Sequence, residues 1–241
     1  MNEPRRQYGV AGAEGVAIDQ GLRQYMLGVY NYMALGVAAT GVFSMLLAGN
    51  QALMMQIAGT PLKWVLFAGI IGIGMFGPRL IFSGSKVMAH ALFWVYAALW
   101  GLLIAPMLFS FQMAGAAQEI YRAFFLTASL FGAVSLWGYT TKKDLSGWAL
   151  FLGMAGIGLL VAIILNALVF QSTMGSLLIS SIVVVFISAV TAYETQAIKS
   201  MYQEGGSMND RAAIFGAFAL YGSFVTLFIH ILNILGIMRS E

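Results

Sequence analysis

A single carboxylate interrupts a long apolar run near the C-terminal end of the sequence. The run "VVVFISAVTAYETQAIKSMY" covers residues 183–202, and Glu194 lies roughly one helical turn inside its apolar zone. A carboxylate at this depth either reaches the lipid headgroups or is a buried titratable group that senses protons. Arg79, which follows Pro78 in another apolar run, is its natural partner, because an arginine–carboxylate pair offsets part of the cost of both charges. Arg79 can instead serve only as a basic anchor at the membrane surface.

Polar side chains also recur at helical spacing in the last two apolar runs. The final run carries four of them, separated by 3, 4 and 3 positions: Ser223, Thr226, His230 and Asn233. The run before it carries a similar set: Ser181, Ser188, Thr191 and Thr195. Each set lies on one helix face, which predicts a polar interior held by interhelical hydrogen bonds or lining a water-filled path. His230 by itself is more typical of a hydrogen-bonded structural histidine than of a ligand.

The composition assigns the chain to the integral membrane proteins. Of its 241 residues, 60% are hydrophobic and 9% are charged, and the mean hydropathy is +0.85. Soluble domains carry roughly 25% charged residues, so this chain lacks the polar surface of one. The alternating pattern of an outer-membrane barrel is absent, and apolar runs of this length predict membrane-spanning helices. The absence of cysteine excludes disulfides and thiolate metal sites.

Seven apolar runs have the length that a hydrocarbon core of about 30 Å requires. They cover residues 25–48, 64–82, 87–109, 120–139, 148–170, 175–197 and 212–237. We therefore predict an all-α membrane protein, a seven-helix bundle. A polar tail over residues 1–23 precedes a single transmembrane domain over residues 24–241, and the first helix is expected to act as its own insertion signal. Polar residues dilute the last run, so a re-entrant hairpin is an alternative to a full span.

Basic residues are unevenly divided between the two sides of this predicted topology. One side holds nine of them: Arg5, Arg6, Arg23, Arg79, Lys86, Lys142, Lys143, Lys199 and Arg211. The other side holds three: Lys63, Arg122 and Arg239. Because basic loops favour the cytoplasm, we expect a cytoplasmic N-terminus and an external C-terminus. The basic residues are scattered through loops, so they do not indicate nucleic-acid binding.

Other patterns predict packing. Glu119 and Arg122, three residues apart, are interpreted as a local surface pair, and Asn166 as a hydrogen bond between helices. Two groups of glycines suggest close helix packing. They are Gly69, Gly72, Gly74 and Gly77, and Gly153, Gly156 and Gly158. The chain has two histidines and neither a His-Glu-x-x-His nor a Gly-x-Ser-x-Gly motif, so we do not expect an enzyme.

Several segments together resemble one known family. They are "YMLGVYNYMALGVAATG" (25–41), "FFLTASLFGAVSLWGYTTKKDLS" (124–146), and "AYETQAIK" (192–199) followed by "LYGSFVTLFIHILNILG" (220–236). The pattern is similar to that of the Bax inhibitor-1 family, the transmembrane Bax-inhibitor-motif proteins, over nearly the whole chain. The resemblance implies seven helices with the C-terminal helix at the centre. It also implies a bacterial inner-membrane location.

The resemblance further implies a pH-sensitive calcium leak, in which two aspartates share a proton and close the pore. On this sequence the first aspartate corresponds to Glu194 and the second to Ser223, and the family's arginine counter-ion corresponds to Arg79. The pore is then expected to be lined by polar residues of the last two helices: Thr191, Thr195, Thr226, His230 and Asn233.

Serine at position 223 departs from the family pattern. A carboxylate pair works because two like charges a few ångströms apart do not both ionise easily, and a serine removes that coupling. Calcium sites depend on carboxylates, so with Glu194 alone we expect weak or absent calcium selectivity, at most transient Ca²⁺ binding, and no resident cofactor. Two hypotheses remain open. One is a cation leak gated by protonation of Glu194; the other is a non-conducting regulator that binds another membrane protein, such as a membrane-bound AAA protease.

Overall fold

A computed structural model of the chain describes residues 10–239, with side chains from residue 20 onwards. Eight α-helices follow one another in that range, and it contains no strand. They are α1 (Val10–Ala48), α2 (Gln51–Gly59), α3 (Leu62–Ser83), α4 (Lys86–Met113), α5 (Ala117–Thr140), α6 (Ala149–Leu165), α7 (Thr173–Ser200) and α8 (Asn209–Arg239). A 3₁₀ turn, Ser146–Trp148, leads into α6, and a π-helical turn, Asn166–Phe170, ends it.

The predicted seven-span bundle is confirmed. Seven helical segments are long and apolar enough to cross a membrane: Gln20–Ala48, Leu62–Ser83, Lys86–Met113, Ala117–Thr140, Ser146–Phe170, Thr173–Ser200 and Asn209–Arg239. Each contains the corresponding apolar run of the sequence. The first helix begins at Val10, within the predicted tail, and residues 1–9 of that tail lie outside the described residues.

The short helix α2 was not predicted. Asn50 starts it by accepting a hydrogen bond from the Leu53 amide, which satisfies one of the free N–H groups of the first turn. Met54 and Ile57 are buried against Leu66 and Ala105, which fixes the helix on the bundle. Its nine residues are too few to span a bilayer.

The C-terminal helix α8 is the centre of the bundle. It is an unbroken helix of 31 residues, so the alternative of a re-entrant hairpin is wrong. In its most apolar stretch of 18 residues 61% is buried, against 44% for α4 and 6% for the span that contains α6. It packs against five other helices: α1, α3, α4, α5 and α7. Small residues allow this, because Gly216 faces Ile198 and Val29 where a side chain would collide.

Helix α6 is the most peripheral span. It packs against α7, and Leu152 is its one buried residue. The predicted close packing of its glycines is largely wrong, since a Cβ on Gly153 or Gly158 would meet no atom within 4 Å. In α3 the prediction holds for Gly77, which faces Phe218 of α8, but not for Gly72 or Gly74.

Hydrogen bonds between side chains and backbone stabilise one end of the bundle, which we call the basic end. Its described basic residues are Arg23, Arg79, Lys86, Lys142, Lys143, Lys199 and Arg211. Gln196 holds the loop after α5, because its amide accepts from the Leu145 N–H at 2.7 Å and donates to the Lys143 carbonyl at 2.8 Å. Lys199 donates to the Tyr139 carbonyl at 2.8 Å. The last turns of α7 are therefore tied to the end of α5.

Gly138 marks a close approach between α5 and α7. A Cβ at this position would lie 2.9 Å from the Ala192 Cα and closer still to its carbonyl oxygen, and backbone atoms cannot swing aside. We expect Gly138→Ala to destabilise the protein by about 1–3 kcal/mol, despite alanine's better helix propensity. Thermal unfolding in detergent measures this, with Gly153→Ala as the control that meets no neighbour. Equal melting temperatures for the two variants would contradict the close approach.

Candidate functional site

Glu194 points into the bundle and not towards the headgroups. Its Oε2 atom accepts a hydrogen bond from the Ser223 hydroxyl at 2.7 Å, which joins α7 to α8. The two residues line a cleft of about 330 Å³, whose other walls include Pro78 of α3, Tyr96 of α4 and Thr226 of α8. The predicted proximity of positions 194 and 223 is present in the structure. The alternative of a carboxylate that reaches the lipid surface does not describe this geometry.

The cleft exists because small residues surround the carboxylate. Gly74 of α3 and Ala219 and Gly222 of α8 line it, and none carries more than a methyl group. A Cβ added to Gly222 would lie 3.1 Å from the Tyr96 hydroxyl oxygen, so a larger residue there would crowd the cleft. The space beside Glu194 is thus encoded by residue size on two facing helices.

Arg79 does not pair with Glu194, so its predicted role as counter-ion is wrong for this conformation. The side chain of Arg79 is exposed on α3. The part of the chain that the structure describes contains two ion pairs, Lys86–Asp210 and Arg122–Glu119. The physical reason is helical phase: Gly77 is buried against α8, and two further residues rotate Arg79 by about 200° around the helix. The alternative of a basic anchor fits the exposed side chain.

The polar stripe of α7 is satisfied mainly within its own helix. Each of its four hydroxyls donates to the carbonyl four residues earlier: those of Ser181, Ser188, Thr191 and Thr195. Thr191 and Thr195 are fully buried and do not line the cleft, which corrects their predicted place in a pore wall. Hydroxyl side chains in a helix commonly bond back to the preceding turn, and helical spacing alone does not distinguish this from a polar path.

Thr195 also belongs to a hydrogen-bond chain that sequence reasoning missed. The Ser135 hydroxyl of α5 lies 2.9 Å from the Thr195 hydroxyl and 2.6 Å from the hydroxyl of Tyr30 on α1. The chain therefore connects three helices at the residue next to Glu194. The sequence feature that could have indicated this chain is Ser135, a hydroxyl side chain within the apolar stretch "FGAVSLWG".

The last two polar residues of α8, His230 and Asn233, form hydrogen bonds with the same serine of α7. His230 Nδ1 lies 3.0 Å from the Ser180 hydroxyl, and the Asn233 amide donates to the same oxygen at 2.9 Å. His230 is thus a hydrogen-bonded histidine, as the simpler interpretation predicted. The predicted polar face of α7 included Ser181, which is exposed, whereas the buried residue is Ser180, which is 2% exposed. Ser180 precedes Thr191 by eleven residues, or about three turns, a spacing that identifies the buried face.

A second opening adjoins the cleft. It is a crevice of about 470 Å³ bounded by α3, α4, α6, α7 and α8, and it shares Gly74, Tyr96, Ile187 and Thr226 with the cleft. Its walls are largely apolar, with His230 and Trp100 among the exceptions. The buried indole N–H of Trp100 has no hydrogen-bond partner. Thr226 and His230 thus line this crevice, and apolar side chains separate them from a continuous polar path in this conformation, so their role as pore-lining residues stays a prediction.

Glu194 and Ser223 supply only part of the ligand set that a bound cation requires. Within the described part of the chain, no three His, Cys, Asp or Glu side chains cluster where they could hold a metal ion. Glu194 and Ser223 offer oxygen atoms, whereas Ca²⁺ takes about six to eight oxygen ligands. Most of the ligands would have to be water. Transient Ca²⁺ binding therefore stays a prediction.

Two further sequence predictions concern polar residues on the opposite end of the bundle. Glu119 and Arg122 form the expected local pair at 2.8 Å, although Glu119 is 5% exposed and is therefore not a surface residue. Asn166 donates to the Ser176 hydroxyl at 3.0 Å and accepts from the Ser172 amide, which ties the end of α6 to α7 as predicted.

Comparison with known proteins extends the resemblance to the whole bundle. The family model described as "Inhibitor of apoptosis-promoting Bax1" matches residues 22–240. An uncharacterized protein of Deinococcus radiodurans is 38% identical over 229 residues, which is 93% of this chain and 95% of that protein. Protein RP147 of Rickettsia prowazekii, also described as uncharacterized, is 35% identical over 228 residues, or 92% and 93% of the two chains. The inner membrane protein YbhL of Escherichia coli is 33% identical over 228 residues, or 91% and 94%.

The Ser180 cluster gives a direct test of the polar packing. Removing the Ser180 hydroxyl leaves the His230 ring nitrogen and the Asn233 amide without the partner they share. We expect Ser180→Ala to destabilise the bundle by about 1–2 kcal/mol, because it removes two interhelical hydrogen bonds that are each worth about 0.6 kcal/mol or more. The control is Ser181→Ala, whose hydroxyl bonds only its own helix. Thermal unfolding in detergent should separate the variants, and a larger loss for Ser181→Ala would refute the assignment of the buried face.

Proposed function

The chain belongs to the Bax inhibitor-1 family of multi-pass membrane proteins, and we propose that it is a low-conductance cation leak gated by protonation of Glu194. The observation that carries the proposal is the hydrogen bond from Ser223 of the central helix α8 to Glu194 of α7, inside a cleft that both residues line. Carboxylates at bilayer depth are costly, and they are typical of ion or proton pathways. Calcium is the cation we favour on the family resemblance.

Protonation changes what the cleft offers to a cation. When Glu194 is ionised, its charge attracts a cation into a site that is otherwise lined by apolar and small residues. When Glu194 is protonated, that attraction is lost, and the carboxyl can donate a hydrogen bond where it formerly accepted one. Ser223 can serve in both states, because a hydroxyl is both a donor and an acceptor. The site therefore has two arrangements that differ by one proton.

The apolar crevice beside the cleft is the natural place for a gate. A cation that enters at Glu194 meets Ile187, Phe186 and Ile229 before it reaches the polar group around His230. Hydrophobic constrictions close channels by excluding water. Helix α6 forms one wall and packs mainly on α7 and on the turns that flank α6 itself. It is also the least buried span, so its movement would break the fewest contacts. We assign the structure to a closed conformation of the leak.

We also propose that the protein lies in a bacterial inner membrane with its basic end in the cytoplasm. The related YbhL protein is named for the inner membrane. The excess of nine basic residues over three supports the orientation by the positive-inside rule. Glu194 then lies in the cytoplasmic half of the bilayer, where it responds to cytoplasmic pH.

A non-conducting regulator that binds another membrane protein is the second candidate. Serine at position 223 and the apolar crevice both favour it, because they weaken a path for ions. Its partner would contact the lipid-facing spans or the N-terminal tail. The flux measurements below distinguish the two candidates.

The first measurement is Ca²⁺ flux into dye-loaded liposomes as a function of pH. We expect wild-type flux to fall as the pH is lowered, because protonation neutralises Glu194. Glu194→Gln should be slow at every pH and lose the pH dependence. A unit charge about 10 Å from the ion, at an effective dielectric near 20, is worth about 1.7 kcal/mol, or more than tenfold in rate.

The matched control for this experiment is Glu204→Gln. Glu204 is exposed in the turn between α7 and α8, and it makes no ion pair within the described residues. Its variant should follow the wild-type profile. An unchanged pH profile in Glu194→Gln would refute the gating role, and the absence of flux in all three proteins would favour the regulator.

A second measurement restores the acidic pair. In Ser223→Asp two carboxyl groups would lie within about 3 Å of each other, so that they share a proton. We expect the midpoint of the pH–flux curve to move to higher pH by about one unit or more, together with stronger Ca²⁺ selectivity over Na⁺. Ser223→Asn, which adds a similar side chain without charge, is the control. The same shift in both variants would exclude carboxylate coupling as its cause.

A further inference from the structure

A groove between α1 and α5 opens towards the lipid on another side of the bundle. These two helices do not pack extensively against each other, and the space between them has two adjoining parts, of about 550 Å³ and 200 Å³. Phe224 of α8 lies between the parts and lines both. The larger part begins at Arg23 and lies on the basic-end half of the groove. We call this larger part the α1/α5 groove.

The length of the α1/α5 groove matches one lipid chain. It follows α1 from Arg23 to Ala34, which is about 16 Å by the helical rise. Half of a hydrocarbon core is about 15 Å thick, which is the depth that an acyl chain of one leaflet fills. The groove thus runs from the membrane surface to the middle of the bilayer.

The walls of the α1/α5 groove are largely apolar over this length, although Asn31, an exposed polar residue, also lines it. Leu27 and Leu136, which are 50% and 63% exposed, form its rims, and Met33 and Phe131 contribute to its interior. The hydroxyls of Tyr30 and Ser135 also line it, but they bond to each other and to Thr195. Their hydrogen bonds are satisfied inside the protein. The surface left for a ligand is therefore suited to a hydrocarbon chain.

The mouth of the α1/α5 groove is cationic. Arg23 lines it, is exposed, and makes no ion pair within the described residues. Lys142 and Lys143 follow Tyr139, which lines the other side of the mouth, and both are exposed. The acid beside them is Asp144, and hydrogen bonds from Ser146 lower the pKa of its carboxyl, so it stays ionised. Among the side chains that the structure describes here, cations outnumber carboxylates, and the mouth is therefore net positive.

We propose that the α1/α5 groove binds one anionic phospholipid of the leaflet at the basic end. The phosphate group lies at Arg23, where charge complementarity and the depth of the membrane surface coincide. One acyl chain follows the groove to Phe224. The lipid thereby covers the hydroxyl chain that links α1, α5 and α7.

Native mass spectrometry of the full-length protein, delipidated in detergent, tests this site. The probes are phosphatidylglycerol and phosphatidylcholine with identical acyl chains, so the two lipids differ only in headgroup. We expect one phosphatidylglycerol to be retained in preference to phosphatidylcholine. Arg23→Gln should reduce that preference roughly fivefold, the effect of one cation near a lipid surface. Arg79→Gln, an exposed arginine at the same end but outside the groove, should keep it.

A second pair of variants tests the acyl-chain wall. Gly132 of α5 lines the groove, and a Cβ there would meet no atom within 4 Å, so Gly132→Leu can fold and fill the space. We expect it to lose the retained lipid of either headgroup, whereas Gly153→Leu on the outer face of α6 should retain phosphatidylglycerol. Melting temperatures near that of the wild type confirm that both variants fold.

Three outcomes would overturn the proposal. The first is equal retention of the two lipids by the wild type, which would remove the role of the cationic mouth. The second is equal retention by Gly132→Leu and Gly153→Leu, which would place the lipid elsewhere. The third is a dimer of the delipidated wild type that Gly132→Leu dissociates, which would assign the groove to a second copy of the chain.

Discussion

Polar side chains inside a bilayer have no water to bond, so the protein itself must satisfy each of them. In this structure that requirement is met around one helix, α8, which carries Ser223, His230 and Asn233 on the face that meets α7. Tyr221, on the same helix, is fully buried and bonds to Thr40 of α1 at 2.7 Å. The other spans are arranged so that each of these groups finds a partner. The central position of α8 is thus a consequence of where the polar groups lie.

The number and bounds of the spans followed from the sequence because one strong physical quantity determines them. A helix must remain apolar over the thickness of the hydrocarbon core, and the loops between the runs carry the charges. Hydropathy did not predict helix α2, because this helix lies outside the spans. It depends on the Asn50 cap and on the local burial of Met54 and Ile57. Hydropathy does not report on either.

The residues of the candidate site could be predicted from the sequence, but the direction in which each helix face points could not. Glu194 and Ser223 were paired correctly, because the family pattern relates the two positions and both carry polar groups. Arg79 and Ser181 were assigned wrongly, because each lies one or two residues from the position that faces the interior. A single residue turns a helix by about 100°, so an error of one position exchanges the bundle interior for the lipid. Hydropathy is nearly uniform around these helices, and it therefore gives little information about which face is inside.

Helix α7 lies between the two openings for which we propose a function. Glu194 turns towards the cleft at α3 and α8, and its neighbour Thr195 turns towards Ser135 and the α1/α5 groove. The two side chains belong to consecutive residues, so their backbone moves as one unit. A change at Tyr30 or Ser135 that shifted α7 would therefore also alter the distance between Glu194 and Ser223. The hydrogen bonds of Gln196 and Lys199 hold the last turns of α7 to the end of α5, so they restrain such a shift at the neighbouring Glu194 and Thr195. The hydrogen bond from Ser223 is the contact that is sensitive to events on both sides of the helix.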